Sequence, residues 1–131
     1  MTEDGSRRIG VDLFNQGAYP ECEPHLRAAV EAHPEWADGH HALGVSLFHM
    51  GRYGEAEPLY KEALQLREKV LGKEHPSTLT SLNNLAGLYR AQGRYGEAEP
   101  LYKEFLQLCD QALGKYHPNT LTFLSNYIIL L

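Results

Sequence analysis

The chain is 131 residues long, enough for one domain with a continuous core, and carries a net charge of −5 with a pI near 5.8. That charge excludes nucleic acid as a main partner, because no basic surplus is present to displace counterions from phosphate. No apolar run approaches the roughly 18–20 residues of a membrane span, and the opening MTEDGSRRIG has acids before its basic pair and no apolar stretch after it, so it is not a secretory signal. Cys22 and Cys109 lie far apart and read as two free, mostly buried thiols of a cytoplasmic protein.

Seven helices are expected, over 6–16, 20–32, 37–50, 54–71, 77–92, 96–113 and 119–131. The first contains Ile9, Gly10, Val11, Leu13 and Phe14, which pair with Leu43, Gly44, Val45, Leu47 and Phe48 of the third at a spacing of 34 residues. The match runs on through Glu21/Glu55, Glu23/Glu57, Pro24/Pro58 and Ala29/Ala63. From Gly51 the period lengthens: the stretch GRYGEAEPLYKEALQL restarts at Gly93 as GRYGEAEPLYKEFLQL, 42 residues on, and 26 of the 39 paired positions are identical. Repetition at such a period marks stacked units, none of which buries its apolar face alone.

Within a unit the periodicity is helical. Leu79, Leu82, Leu85, Ala86 and Tyr89 fall on one face of the fifth helix, which Gly93 then ends in a left-handed turn. The fourth helix repeats Ala56, Leu59, Tyr60, Ala63, Leu64 and Leu66; the sixth repeats Ala98, Leu101, Tyr102, Phe105, Leu106 and Leu108. Glu57–Lys61 and Glu99–Lys103 are spaced for ion pairs worth about 0.2–0.5 kcal/mol each. Pro24, Pro58 and Pro100 are expected within about the first turn of their helices, where a missing N–H costs little, and Pro34, Pro76 and Pro118 mark the starts of the next units.

Leu43, Gly44, Leu47, Gly51, Tyr53, Ala56, Tyr60 and Ala63, met again as Leu85, Ala86, Tyr89, Gly93, Tyr95, Ala98 and Tyr102, resemble the tetratricopeptide repeat (TPR). The 42-residue form, with LGKEHP between units and TLTSLNNLAGLY in the next helix, is similar to the kinesin light chain type. The resemblance implies an all-α fold, a right-handed α-solenoid of antiparallel helix pairs. It would form a single domain over 1–131, with units at about 3–36, 37–78 and 79–120 and a C-terminal helix over 119–131. It also implies a concave groove lined by the first helix of each unit. By position that groove would hold Arg7, Val11, Phe14, His41, Val45, Phe48, His49, Asn83, Asn84, Arg90 and Asn126. Asn84 falls where peptide-binding members use an asparagine amide to hold ligand backbone, and Asn126 is its counterpart; an amide can donate to and accept from a peptide unit together. The carboxylate clamp of the family is not matched, since the corresponding places hold Arg7, Val11, Thr80 and Asn84.

Most other conspicuous residues have structural readings. Tyr53, Tyr60, Tyr89, Tyr95 and Tyr102 occupy core or edge places of the repeat, and Trp36 is expected to pack between the first and second units. His40, His41 and His49 lack the three- or four-residue spacing of helical metal ligands, so no metal and no cofactor are expected. There is no glycine-rich phosphate loop and no nucleophile elbow, and no enzyme is expected.

The last helix departs from its predecessor. Ser81, Leu85, Ala86 and Gly87 are replaced there by Phe123, Tyr127, Ile128 and Ile129, and Ala63 is replaced by Phe105. A helix apolar all round is stable only when buried. Three arrangements would bury it: a further helix of a longer array, folding back on the preceding groove, or pairing with a second copy through Leu121, Phe123, Leu124, Tyr127, Ile128 and Leu131. The reading is a protein-interaction scaffold that binds a peptide or partner segment of some acidic character. The alternative is a self-assembly module, a homodimer through that helix.

Overall fold

The computed structural model describes residues 3–113, which form six α-helices: α1 Glu3–Asn15, α2 Tyr19–Ala32, α3 Ala37–His49, α4 Tyr53–Leu71, α5 Pro76–Ala91 and α6 Tyr95–Leu113. The expected seventh helix, and with it Asn126 and the proposed self-association residues, lies outside the described residues. The fold class is all-α, built from the repeated helix pairs of which solenoids are made. Among the described residues no helix is long and apolar enough to cross a membrane. Backbone packing gives two compact units, one ending at Leu66 and one beginning at Arg67.

The first helix of each pair ends in the same way for the same reason. Gly17, Gly51 and Gly93 all adopt a positive φ of 76–77°, which a side chain disfavours. The residue after each glycine then donates its N–H five residues back: Ala18 to Leu13 at 2.9 Å, Arg52 to Leu47 at 2.9 Å and Arg94 to Tyr89 at 2.8 Å. This closes the last carbonyls of the helix and starts its partner about one residue later. Every helix but α3 begins one to three residues before its expected position. At α5 the reason is plain: His75 Nδ1 accepts the Ser77 N–H at 3.0 Å, so Pro76 becomes the first helical residue.

The interior prolines correct one expectation. Because α2, α4 and α6 begin at Tyr19, Tyr53 and Tyr95, Pro24, Pro58 and Pro100 are each the sixth helical residue, in the second turn rather than the first. The carbonyl each leaves unpaired belongs to Pro20, Gly54 or Gly96, all exposed, so solvent can take the place of the missing donor.

Two small residues set how closely the first pairs pack. A Cβ added at Gly10 would lie 2.9 Å from Leu26, and one at Gly44 would lie 2.9 Å from the Tyr60 ring. Ala86 holds the corresponding place in α5 and is fully buried. Around these contacts the first unit buries Cys22, Leu26, Ala29, Leu43 and Leu47, all fully shielded; each such leucine contributes about 1.5–3 kcal/mol. The second unit buries Leu88, Ala98, Phe105 and Cys109 as completely. Both cysteines are free and buried, as expected, and desolvation pushes the Cys109 thiol up to about 11.

Among the described residues one buried group carries a formal charge. Arg67, near the end of α4, is only 7% exposed, and its Nη1 donates to the Ser77 carbonyl at 3.1 Å and to Ser81 Oγ at 2.8 Å. Forty-two residues further on, the sequence has Cys109 and Phe123 in place of Arg67 and Ser81.

The close approach at Gly44 makes a direct prediction. Gly44→Ala should destabilise the protein by about 1–3 kcal/mol, since the ring beneath it is fixed by burial. Gly87→Ala, whose Cβ would meet only the Tyr102 hydroxyl at 3.7 Å, should instead be neutral or stabilising by about 0.5–1 kcal/mol. Urea unfolding of the two variants checks both signs.

Candidate functional site

Three sets of side chains occupy the same places on the first helices of the three pairs. Arg7, Val11 and Phe14 lie on α1; His41, Val45 and Phe48 on α3; Asn83, Gly87 and Arg90 on α5. The steps of four and three residues put each set on one stripe. All nine are half-buried, neither core nor free surface. Asn84, beside that stripe, is half-buried too, and His49 is exposed.

The first unit brings part of the expected set together through rings. Phe14 meets Tyr19 edge-on with centroids 6.1 Å apart, and Tyr19 stacks flat on His49 at 4.7 Å with the planes 5° apart. His49 in turn meets Phe48 at 5.8 Å, and Phe48 meets Tyr53 at 5.2 Å. A continuous chain of five rings thus runs over the α1–α2 and α3–α4 turns. Sequence reasoning placed Phe14, Phe48 and His49 but missed Tyr19 and read Tyr53 as purely structural. The recurring Gly-x-Tyr at 17–19, 51–53 and 93–95 was the available signal.

Arg7 is engaged differently. Its guanidinium lies 4.2 Å above the Trp36 ring, a contact of about 0.5–2 kcal/mol. Trp36 can turn back over α3 only because Gly39 has no side chain; a Cβ there would be 2.1 Å from the ring. The tryptophan therefore sits between the first and second repeats, as expected.

A charge network holds the ring-bearing turn. Arg52, between Gly51 and Tyr53, donates to both carboxylate oxygens of Glu23 on α2, at 2.5 and 3.0 Å, and also to Glu55. Arg27 adds a bond to Glu23 at 2.8 Å. Hydrogen bonds from Arg52 first, then Arg27, hold the Glu23 carboxyl below its usual range. The expected helical pairs form as well, Lys61–Glu57 at 2.7 Å and Lys103–Glu99 at 3.2 Å.

The second unit changes the chemistry of the stripe. Arg90 and Ala91 stand where the first unit has Phe48 and His49, so the ring chain does not recur; Tyr95 is 56% exposed. Tyr102, on α6, is only 3% exposed. Burial pushes the Tyr102 phenol up, and the adjacent Arg90 charge and hydrogen bond offset part of that rise. Asn83 has its Oδ1 buried with no hydrogen-bond partner among the described residues. No group of three or more His, Cys, Asp or Glu gathers among the described residues.

A protein-family model described as "tetratricopeptide repeat" matches residues 37–109 and 80–127. No curated protein sequence matches the chain. Among solved structures, a Podosopora anserina protein with nearly identical TPR-like repeats, named after kinesin light chain, is similar at 22% identity with a TM-score of 0.79. That alignment covers 97% of this chain and 64% of the other. BtubC (BKLC) from P. vanneervenii is similar at 19% identity, over 98% and 61%, with a TM-score of 0.77. MamA of MSR-1 is similar at 25% identity, over 85% and 59%, with a TM-score of 0.74. The likeness is one of fold, and the chain spans about three-fifths of the length of these structures.

The Glu23 network yields a pH dependence. A carboxyl whose folded pKa lies below its unfolded one contributes stability above the unfolded value and loses it as pH falls through the folded value. Glu23→Gln should therefore lower the unfolding free energy at neutral pH, and the gap to the parent should close as the pH drops below about 4. Urea titrations at neutral and acid pH measure that gap.

Proposed function

Since the chain belongs to the tetratricopeptide-repeat family, we propose that it is a non-catalytic scaffold for protein–protein interaction, holding a partner's extended segment along the first helices of its repeats. The supporting observation is the equivalence of the half-buried residues on α1, α3 and α5, a stripe neither buried as core nor polar as free surface. Val11, Val45, Phe14 and Phe48 would supply apolar contact; Arg7, His41, His49 and Arg90 would favour acidic character in the partner. Asn83 and Asn84, with Asn126 as a further candidate, would pair with backbone amides and set register. A reducing, cytoplasmic setting fits the two free thiols.

The test begins with dodecapeptides selected from a random display library on the immobilised protein. Peptides so selected should bind Asn84→Ala about three- to tenfold more weakly, the scale of one or two lost hydrogen bonds, with the protein still folded. Equal affinity for every selected peptide would remove Asn84 from the site.

One observation supports a second reading, self-assembly. At Gly10 and Gly44 even a methyl group would crowd the second helix of the pair, and in sequence Ile128 falls at the corresponding place. A segment with isoleucine there is not suited to receive a second helix as α1 and α3 do. Its apolar residues, Leu121, Phe123, Leu124, Tyr127, Ile128 and Leu131, would then be covered by a second copy. Light scattering over a tenfold concentration range should give twice 14.8 kDa, about 29.6 kDa, reverting to 14.8 kDa in the Ile128→Glu/Leu131→Glu double variant. A parent mass of 14.8 kDa at every concentration would end this reading.

A further inference from the structure

We propose that the Trp36 indole is a docking point for a basic protein segment, receiving an arginine side chain of the partner in the place that Arg7 of this chain now fills. The site lies at the α2–α3 corner and goes beyond the stripe reading, with which it shares only Arg7.

The ring is held on a fixed platform. The Trp36 backbone N–H donates to the His33 carbonyl at 3.0 Å, and the Trp36 carbonyl accepts from Gly39 at 3.1 Å and from His40 at 3.3 Å. His40 Nε2 donates to the Pro34 carbonyl at 2.8 Å, which ties the same loop to α3. The indole lies against α3 where Gly39 has no side chain; a Cβ there would be 2.1 Å from the ring. Trp36 is nonetheless only half-buried, so part of its surface stays open. A ring fixed in this way loses little freedom when a ligand arrives.

What already sits on the ring is a cation. The Arg7 guanidinium lies 4.2 Å from the ring centroid, the geometry in which a π face attracts positive charge. The local sequence favours the same charge. From 28 to 51 the chain has Glu31, Glu35 and Asp38, all exposed, and neither Lys nor Arg. The ring therefore borrows its cation from another helix, α1, and one guanidinium stands against three acids close to Trp36 in the chain. A cation–π contact near the surface is worth about a two- to fivefold preference, so a partner arginine can displace Arg7 at small cost. A segment carrying a second basic residue gains attraction from the acids as well. Arginine fits better than lysine because its planar guanidinium stacks on an aromatic face.

Trp36 is the only tryptophan of the chain, so its emission reports the site directly. The probe is the peptide acetyl-Gly-Arg-Gly-Arg-Gly-amide, titrated into the full chain beside versions with Lys or with Gln in place of both Arg. The arginine peptide should change the emission saturably, the lysine peptide should bind about threefold more weakly, and the glutamine peptide should give no saturable change. Arg7→Ala, which vacates the ring, should bind the arginine peptide about two- to fivefold more tightly than the parent, the reverse of what a purely structural contact would produce. Glu35→Gln, at a side chain 74% exposed, should bind it more weakly, and raising salt from about 50 to about 300 mM should do the same in the parent. Circular dichroism checks that each variant is folded. The site is overturned by no saturable change in either the parent or Arg7→Ala, by equal binding of the lysine or glutamine peptide, or by unchanged or weaker binding in folded Arg7→Ala. If Arg7→Ala does not fold, an affinity that neither Glu35→Gln nor salt alters overturns it. None of these outcomes bears on the stripe reading, whose own test is Asn84→Ala.

Discussion

The architecture depends on the distance at which the two helices of a pair can pack. At Gly10 and Gly44 the second helix presses Leu26 and Tyr60 into the space a side chain would take. A carbon added at either glycine would have to displace Leu26 or the Tyr60 ring, whereas in α5 the same place accepts Ala86, fully buried. Everything exposed on the first helices follows from this. With one side of α1 or α3 committed to its partner, the stripe a third of a turn away is left half-covered, and the residues there are free to vary in chemistry while the core positions are not.

That freedom is used differently along the chain. In the first unit the stripe ends in aromatic rings that continue through Tyr19 and Tyr53, and the Arg52–Glu23 pair ties the turn bearing them to α2. In the second unit the corresponding place holds the guanidinium of Arg90. The same backbone therefore presents an apolar, stacked surface in one hairpin and a cationic, hydrogen-bonding one in another. Solved repeats of similar fold are only 19–25% identical to this chain, so the fold is compatible with widely different sequences.

Much of this was legible in the sequence because it is local. Helix ends at Gly17, Gly51 and Gly93 follow from one backbone conformation, and the core leucines follow from a period of 3.6 residues. The prolines lie one residue deeper in their helices than expected because the start of a helix is set by which group caps it, and at α4 and α6 the chain enters helix straight from the glycine turn. What the sequence did not disclose was where long polar side chains fold. Trp36 turns back over Gly39 to meet Arg7, the Tyr102 hydroxyl comes up beside Gly87, and Arg67 turns inward to Ser81. Each depends on a gap supplied by a small residue elsewhere, and periodicity gives positions on a face without giving the gaps between faces.

The buried arginine bears on how such a chain finds its own order. Repeats this alike invite a folding error: a second helix could settle beside the wrong neighbour, since most of the surface it seeks is duplicated further along. Arg67 makes the pairings unequal. Beside Ser81 its donors find oxygen at 2.8 and 3.1 Å, whereas beside the stretch carrying Phe123 they would face a ring, a mismatch costing several kcal/mol. One buried guanidinium with its two oxygen partners thus makes this pairing chemically unlike the one that a near-identical repeat could offer.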